Sequence, residues 1–219
     1  MSAREEILAR VRAATADIVS AIGSGDAPPI IEEIPTGAAE TLELFAENVA
    51  DYRAQVLRTG PDGVADAIAG ALREHGCGSV VVPDGLDEGW RVAIRAVSTE
   101  VPDSVSMTAA DLDLIDGVVT ASAVGVATTG TIVLDHRADQ GRRAITLVPD
   151  THVCVIRADQ VVHDIPESVR RLRPETGGAH PLTWISGPSA TSDIELQRVE
   201  GVHGPRTLVV VLVTDGRGE

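Results

Sequence analysis

The spacing of apolar positions divides the chain into a helical opening and a longer stretch with a different rhythm. Ile7, Leu8, Val11, Ala14, Ile18 and Ile22 keep one side of a 3.6-residue period, which predicts an amphipathic helix. Ser2 and Glu5 are spaced as a capping box at its start. Gly23-Ser-Gly-Asp-Ala-Pro-Pro29 predicts its end and the beginning of an extended linker. Leu42, Phe45, Val49, Tyr52 and Val56 predict a second helix. Gly60-Pro61-Asp62 restarts the chain, and Val64, Ile68 and Leu72 predict a third helix that stops at Gly76.

From Ser79 onward the apolar positions gather into short runs, the pattern of strands buried on both faces of a mostly parallel sheet. Strands are expected at 79–83, 118–120, 131–134, 145–148, 153–156, 182–186 and 208–213. Helical segments are expected near 90–97, 166–172 and 191–199. The runs at 131–134, 145–148 and 153–156 stand too close together for helical crossovers. These three are therefore expected to pair antiparallel or as a meander, which makes the sheet mixed. No internal repeat is present. The division expected is an N-terminal helix and linker over 1–37, followed by a single α/β domain over 38–219.

Composition narrows the function classes. Hydrophobic residues make up 43% of the 219 positions, enough for a sizeable core, but Phe45, Tyr52, Trp90 and Trp184 are the only aromatics. That scarcity counts against base stacking and aromatic carbohydrate platforms. The net charge is −15 and every basic side chain is Arg, so a polyanion is repelled and neither nucleic acid nor an anionic membrane is an expected partner. Without lysine there is no Schiff base, no pyridoxal-phosphate attachment and no Walker-type phosphate lysine. Cys77 and Cys154 supply neither a CxxC motif nor the ligands of an iron–sulfur cluster, and their apolar surroundings predict buried, reduced thiols. No metal and no cofactor is expected. No apolar run approaches the ~20 residues of a membrane span, and no signal-peptide core opens the chain, so a cytoplasmic location is expected.

Three segments carry the candidate chemistry, each with two readings. Ala123-Val-Gly-Val-Ala-Thr-Thr-Gly-Thr131 is either a tight turn into a strand or a loop offering Thr129, Gly130 and Thr131 to a carboxylate or phosphate. In Trp184-Ile-Ser-Gly-Pro-Ser-Ala-Thr-Ser-Asp-Ile-Glu195, Gly187 turns the chain out of a strand. Ser189, Thr191 and Asp193 then either cap a helix or hold an anion at its N-terminus. In Gly201-Val-His-Gly-Pro205, His203 either orients a substrate or serves structure, and His152 in Pro149-Asp-Thr-His-Val153 has the same two readings. His75, His136, His163 and His180 show no metal spacing. There is no GxGxxG after a strand, no HExxH, and Gly187-Pro-Ser-Ala-Thr191 fails GxSxG at its last position.

Gly125-Val-Ala-Thr-Thr-Gly-Thr-Ile-Val-Leu134, Leu147-Val-Pro-Asp-Thr-His152, Ser186 through Glu195 and Gly201-Val-His-Gly-Pro205 together resemble the LUD-domain family, in its lactate-utilization branch. The resemblance spans roughly 38–213. It implies a NagB/RpiA/CoA-transferase-like fold, a three-layer α/β/α sandwich with a mixed, mostly parallel sheet. It also implies a part in oxidising L-lactate to pyruvate alongside iron–sulfur partner proteins. This chain has no cluster ligands and suits a component that lacks a redox centre. Relatives commonly place an acid where this chain has Thr128, so covalent carboxylate chemistry is not expected here. Two other readings stand beside it: a free-standing enzyme acting on a phosphorylated or CoA-linked small molecule, and an interaction module without a ligand. The site expectation is geometric. The Thr129–Thr131 loop, the Gly187–Thr191 turn and His203 should converge on one cleft that takes a small carboxylate or phosphate, completed by an Arg of which Arg206 is nearest to His203.

Overall fold

The computed structural model describes residues 3–14, 35–172, 181–188 and 204–214. It separates into two units, Met1–Glu33 and Ile34–Glu219. In the first, helix α1 spans Ala3–Ala14 and buries none of its residues. Arg10 and Glu6, one turn apart, form an ion pair at 2.5 Å. The expected Ser2 cap, the continuation through Ile18 and Ile22, and the linker that follows lie outside the described residues.

The second unit is built on six parallel strands: β1 (Gln55–Thr59), β2 (Ser79–Val82), β3 (Thr99–Pro102), β4 (Gly117–Thr120), β7 (Thr151–Arg157) and β10 (Thr207–Val213). They lie side by side in the order β1-β10-β7-β4-β2-β3. Because side chains alternate across a strand, each of these runs feeds two cores. Val80, Val82, Val119, Val153, Val155, Val209, Val211 and Val213 pack on one face against helices α3 (Val64–Glu74) and α4 (Glu88–Arg95). Val64, Ile68 and Leu72 form the buried stripe of α3, and the Asp87 carboxylate caps α4 by accepting from the Trp90 amide at 3.2 Å.

Helix α2 (Ala39–Asp51) lays Leu42, Phe45, Ala46 and Val49 on the other face, against Cys154, Ile156, Leu208, Val210 and Leu212. Ile132 and Leu134 of a second sheet share that core. This sheet has four strands in the order β8-β5-β6-β9: β8 (Val161–Val162), β5 (Val124–Val126), β6 (Thr131–Leu134) and β9 (Thr183–Ile185). Short helix α5 (Ala109–Leu112) covers Val81 and Val118 on the same face of the large sheet, and α6 (Ile165–Leu172) places Leu172 against the second sheet. The architecture is α/β, with a parallel sheet buried on both faces.

Several boundaries differ from expectation. The 145–148 run is not a strand: Arg143–Thr146 is a turn of 3-10 helix whose buried Ile145 packs under Val81 and Val118. An apolar run alone does not distinguish a buried strand from a buried turn. Helix α2 ends at Asp51, and Val56 belongs instead to β1, where Arg53 takes a positive φ of 66° between the two elements. The runs at 131–134 and 153–156 do not share a sheet. The antiparallel pairs are β5 with β6 and β6 with β9, all in the small sheet, while the large sheet is wholly parallel. Strands β3, β5 and β8 are not legible as apolar runs: β3 (Thr99–Pro102) mixes Val101 with Thr99 and Glu100, and β5 and β8 are only three and two residues long. The helix expected at 191–199 lies outside the described residues.

Candidate functional site

Strand β9 and the turn after it bring two of the three candidate segments together. A turn of 3-10 helix, Ala127–Thr129, links β5 to β6 and ends at Gly130, whose φ of 57° lies in the left-handed region. A Cβ here would come within 2.6 Å of the backbone of Asn48 in α2, so both the conformation and the close approach demand glycine. The Asn48 side chain donates to the Ala127 carbonyl at 2.8 Å and fixes the same approach. From this turn the Thr129 hydroxyl donates to Thr131 Oγ1 at 2.8 Å, and Thr131 Oγ1 lies 2.8 Å from Ser186 Oγ. Ser186 directly precedes Gly187, whose φ of 78° and 2.7 Å approach to Tyr52 Cβ again exclude a side chain.

Beyond Ser186 lies a cavity of about 230 Å³. Its walls come from the 3-10 turn and the residue after it (Arg143, Thr146, Leu147), from β9 and its following turn, from Gly204 and Pro205, and from His152 and Leu208, the second residues of β7 and β10. Gly187 and Gly204 therefore face one space, while Thr129 and Thr131 reach its rim through Ser186. Ser189, Thr191, Asp193 and His203 lie outside the described residues. Of the hydroxyls on the wall, Thr146 donates to the Arg143 carbonyl at 3.1 Å, and Thr183 is 2.8 Å from His136 Nε2.

Two further side chains line this cavity: Arg143, which the sequence pattern does not single out, and His152, for which it leaves a substrate-orienting and a structural reading open. Arg143 is exposed on the wall and forms no ion pair among the described residues, whereas Arg206, the cation nearest His203 in sequence, faces Asp150 at 3.5 Å. His152 is fully buried, with Nε2 2.8 Å from Thr120 Oγ1 and Nδ1 lacking any partner. Burial pushes its pKa down to about 4, so the ring is neutral near pH 7. The Thr120 hydroxyl also lies 3.8 Å from Cys154 Sγ, and that thiol lies 3.8 Å from the Ala121 carbonyl. Burial lifts the Cys154 pKa to about 12, which keeps it a thiol. The sequence signal for His152 was its place at the start of an apolar run. In register it stands between Val118 and Leu208, where an imidazole interrupts an otherwise aliphatic row.

Thr128, at the position where the resemblance places an acid, is exposed and donates its amide to the His163 carbonyl at 3.0 Å. Among the described residues no group of His, Cys, Asp and Glu side chains is arranged to hold a metal ion, and no helix is long and apolar enough to cross a membrane.

Comparison with known proteins places this arrangement. The profile of the LUD domain matches residues 42–213, which includes α2, both sheets and every wall of the cavity. The chain belongs to the LUD domain family. It is 45% identical over 190 residues to a protein of Deinococcus radiodurans named Lactate utilization protein C, covering 85% of each chain. A protein of the same name from Geobacillus kaustophilus is 30% identical over 167 residues, covering 68% of this chain and 69% of the relative. Among solved structures, the crystal structure of a DUF162 family protein from Deinococcus radiodurans superposes with a TM-score of 0.68 at 39% identity, covering 80% of this chain and 97% of that one.

Proposed function

We propose that this LUD-domain protein is a component of lactate utilization and that its cavity binds a small carboxylate. Support for the process comes from the 45% identity, over 85% of both chains, to a protein named for it. Support for the ligand comes from one observation above the rest: Arg143, which forms no ion pair among the described residues, and the fully buried His152 line the same small cavity. In this reading the chain acts in the cytoplasm in the oxidation of L-lactate to pyruvate, beside partners that carry iron–sulfur clusters. It contributes ligand binding rather than a redox centre. Thr129, Gly130 and Thr131 hold the rim through Ser186, Gly187 lines the wall, and Ser189, Thr191, Asp193 and His203 are assigned to ligand binding on their sequence motifs alone.

The volume favours this reading over a CoA-linked ligand. A cavity of about 230 Å³ falls below the ~300–1,000 Å³ typical of drug-sized ligands and suits a molecule of few heavy atoms. The experiment is genetic and biochemical together. Deleting the gene should abolish growth on L-lactate while leaving growth on pyruvate intact, and the tagged protein should co-purify with cluster-bearing partners. Normal growth on L-lactate in a strain without a second copy would overturn the process. Recovery of the protein alone from lactate-grown cells would overturn the partnership.

A further inference from the structure

We propose that β1 is a docking edge for a second copy of this chain, so that two large sheets join antiparallel across a two-fold axis at Leu57. None of the β1 residues lines the cavity, so the inference stands apart from the ligand.

The large sheet has two outer strands, β1 and β3, and their backbones are finished differently. Successive residues of a strand turn their N–H and C=O to opposite sides, so one observed bond fixes the direction of the rest. On β3 the Thr99 amide donates to the Gly78 carbonyl at 2.8 Å and the Asp103 amide to the Val82 carbonyl at 2.9 Å, both toward β2. The outward positions are therefore Glu100 and Pro102. Pro102 has no N–H to offer, and its ring stands where a further strand would lie. This edge is closed.

On β1 the Thr59 carbonyl accepts from the Thr214 amide at 2.9 Å, on the side of β10. Gln55, Leu57 and Thr59 thus face β10, and Val56 and Arg58 turn both N–H and C=O outward. Among the described residues nothing pairs with those groups. The strand contains neither Pro nor Gly, and its register with β10 runs unbroken from Gln55 to Thr59, so no bulge turns the edge away. Arg58 is the one charged side chain of β1, and Glu43 of α2 accepts from it, one of the two bonds at 2.7 Å. This edge is open.

The outward residues flank Leu57 symmetrically, and that symmetry selects a second copy as the occupant. With two β1 strands antiparallel about Leu57, Val56 stands opposite the partner's Arg58, and Arg58 opposite the partner's Val56. Each pair exchanges two N–H···O=C bonds, which satisfies every outward group on both strands. Leu57, only partly buried in its own core, then meets the partner's Leu57 at a position where facing side chains come closest. A foreign strand has to bring matching side chains, whereas two copies match by symmetry. The net charge of −15 on each copy opposes their approach, so salt strengthens this association, the reverse of an interface held by ion pairs.

The test uses the full chain. Sedimentation equilibrium over a concentration series should show monomer and dimer exchanging, with more dimer when salt is raised from about 0.05 M to about 0.3 M. Hydrogen exchange at the Val56 and Arg58 amides should slow as protein concentration rises, while the Leu57 and Thr59 amides, which face β10, should not change. Val56→Pro removes an outward N–H without touching the bonds to β10 and should weaken the dimer by roughly tenfold or more. Val56→Ile keeps that N–H and should dimerise as the parent does. Circular dichroism checks that the proline variant folds; if it does not, exchange in the unaltered chain decides alone. A monomer at every concentration and salt level would overturn the proposal. So would a dimer that Val56→Pro leaves intact, or Val56 and Arg58 amides that exchange at one rate throughout the series. Slow exchange at those two amides in a chain that stays monomeric would overturn the second copy as the occupant.

Discussion

His152 is the residue whose environment departs furthest from what an imidazole finds in water. Burial holds its pKa near 4, against an ordinary value of 6.5. The unfolded chain therefore binds a proton more readily than the folded one between those values. By linkage, its contribution to stability is complete above about pH 6.5 and is lost as the pH falls toward 4. The urea midpoint at pH 5 should correspond to a stability about 2 kcal/mol lower than at pH 7. His152→Phe should flatten that slope even if it lowers the midpoint overall. Glu43 and Glu100 do not blur the window. Both are held below their ordinary value of 4.5, Glu43 by Arg58, and Glu100 by Arg91 and Arg95 against the opposing effect of burial, so their losses come at lower pH. A stability profile unchanged between pH 7 and pH 5 would mean that the ring is hydrated, and the unpartnered nitrogen would lose its significance.

Helix α2 governs where the candidate loops sit. Its last turn meets Gly130 through Asn48, and the residue after it, Tyr52, meets Gly187, so one helix end positions the turns that flank β6 and β9. Both glycines have positive φ and both have backbone or side-chain atoms within 3 Å of the place a Cβ would occupy. Gly130→Ala should therefore cost at least about 2 kcal/mol, the sum of left-handed strain and a forced retreat from α2. Gly187→Ala should cost a similar amount, because a Cβ there meets Tyr52 Cβ and the Tyr52 carbonyl, which move only with the backbone. Chemical denaturation of the two variants checks both outcomes. A neutral Gly130→Ala would show that the turn is held by Asn48 and the Thr129–Thr131–Ser186 hydroxyls rather than by the approach to the helix.

The whole chain divides where its buried residues do. All four apolar cores draw their residues from positions 42–213, and α1 buries nothing of its own. A fragment spanning 34–219 should therefore fold cooperatively, with a circular dichroism spectrum of mixed helix and strand and one unfolding transition. A fragment that remains unfolded would show that the first 33 residues supply part of the core. The net charge of −15 disposes the molecule against polyanions, but the cavity escapes that sign, because Arg143 stands on its wall without a carboxylate partner among the described residues.

Local pattern was sufficient wherever a segment's own period decided its fate. Val64, Ile68 and Leu72 read as one buried stripe and are one. The valine-rich runs at 79–83 and 208–213 read as strands buried on both faces and lie inside a parallel sheet. The family, too, was legible, because its motifs are contiguous stretches of sequence. Pairing partners were not. Nothing local to Thr131–Leu134 says that it joins β5 and β9 in a separate sheet, and nothing local to Ile145 says that a buried apolar run there is a turn. The cavity depended wholly on such long-range choices. Arg143, His152, Ser186 and Gly204 are spread over some sixty positions and share no spacing rule. Thr120 and His152 meet only because β4 and β7 are neighbours in the sheet. Periodicity records which face of an element is apolar, since that is a property of consecutive residues; which polar atoms are left without partners is a property of the packed chain, and only the tertiary structure decides it.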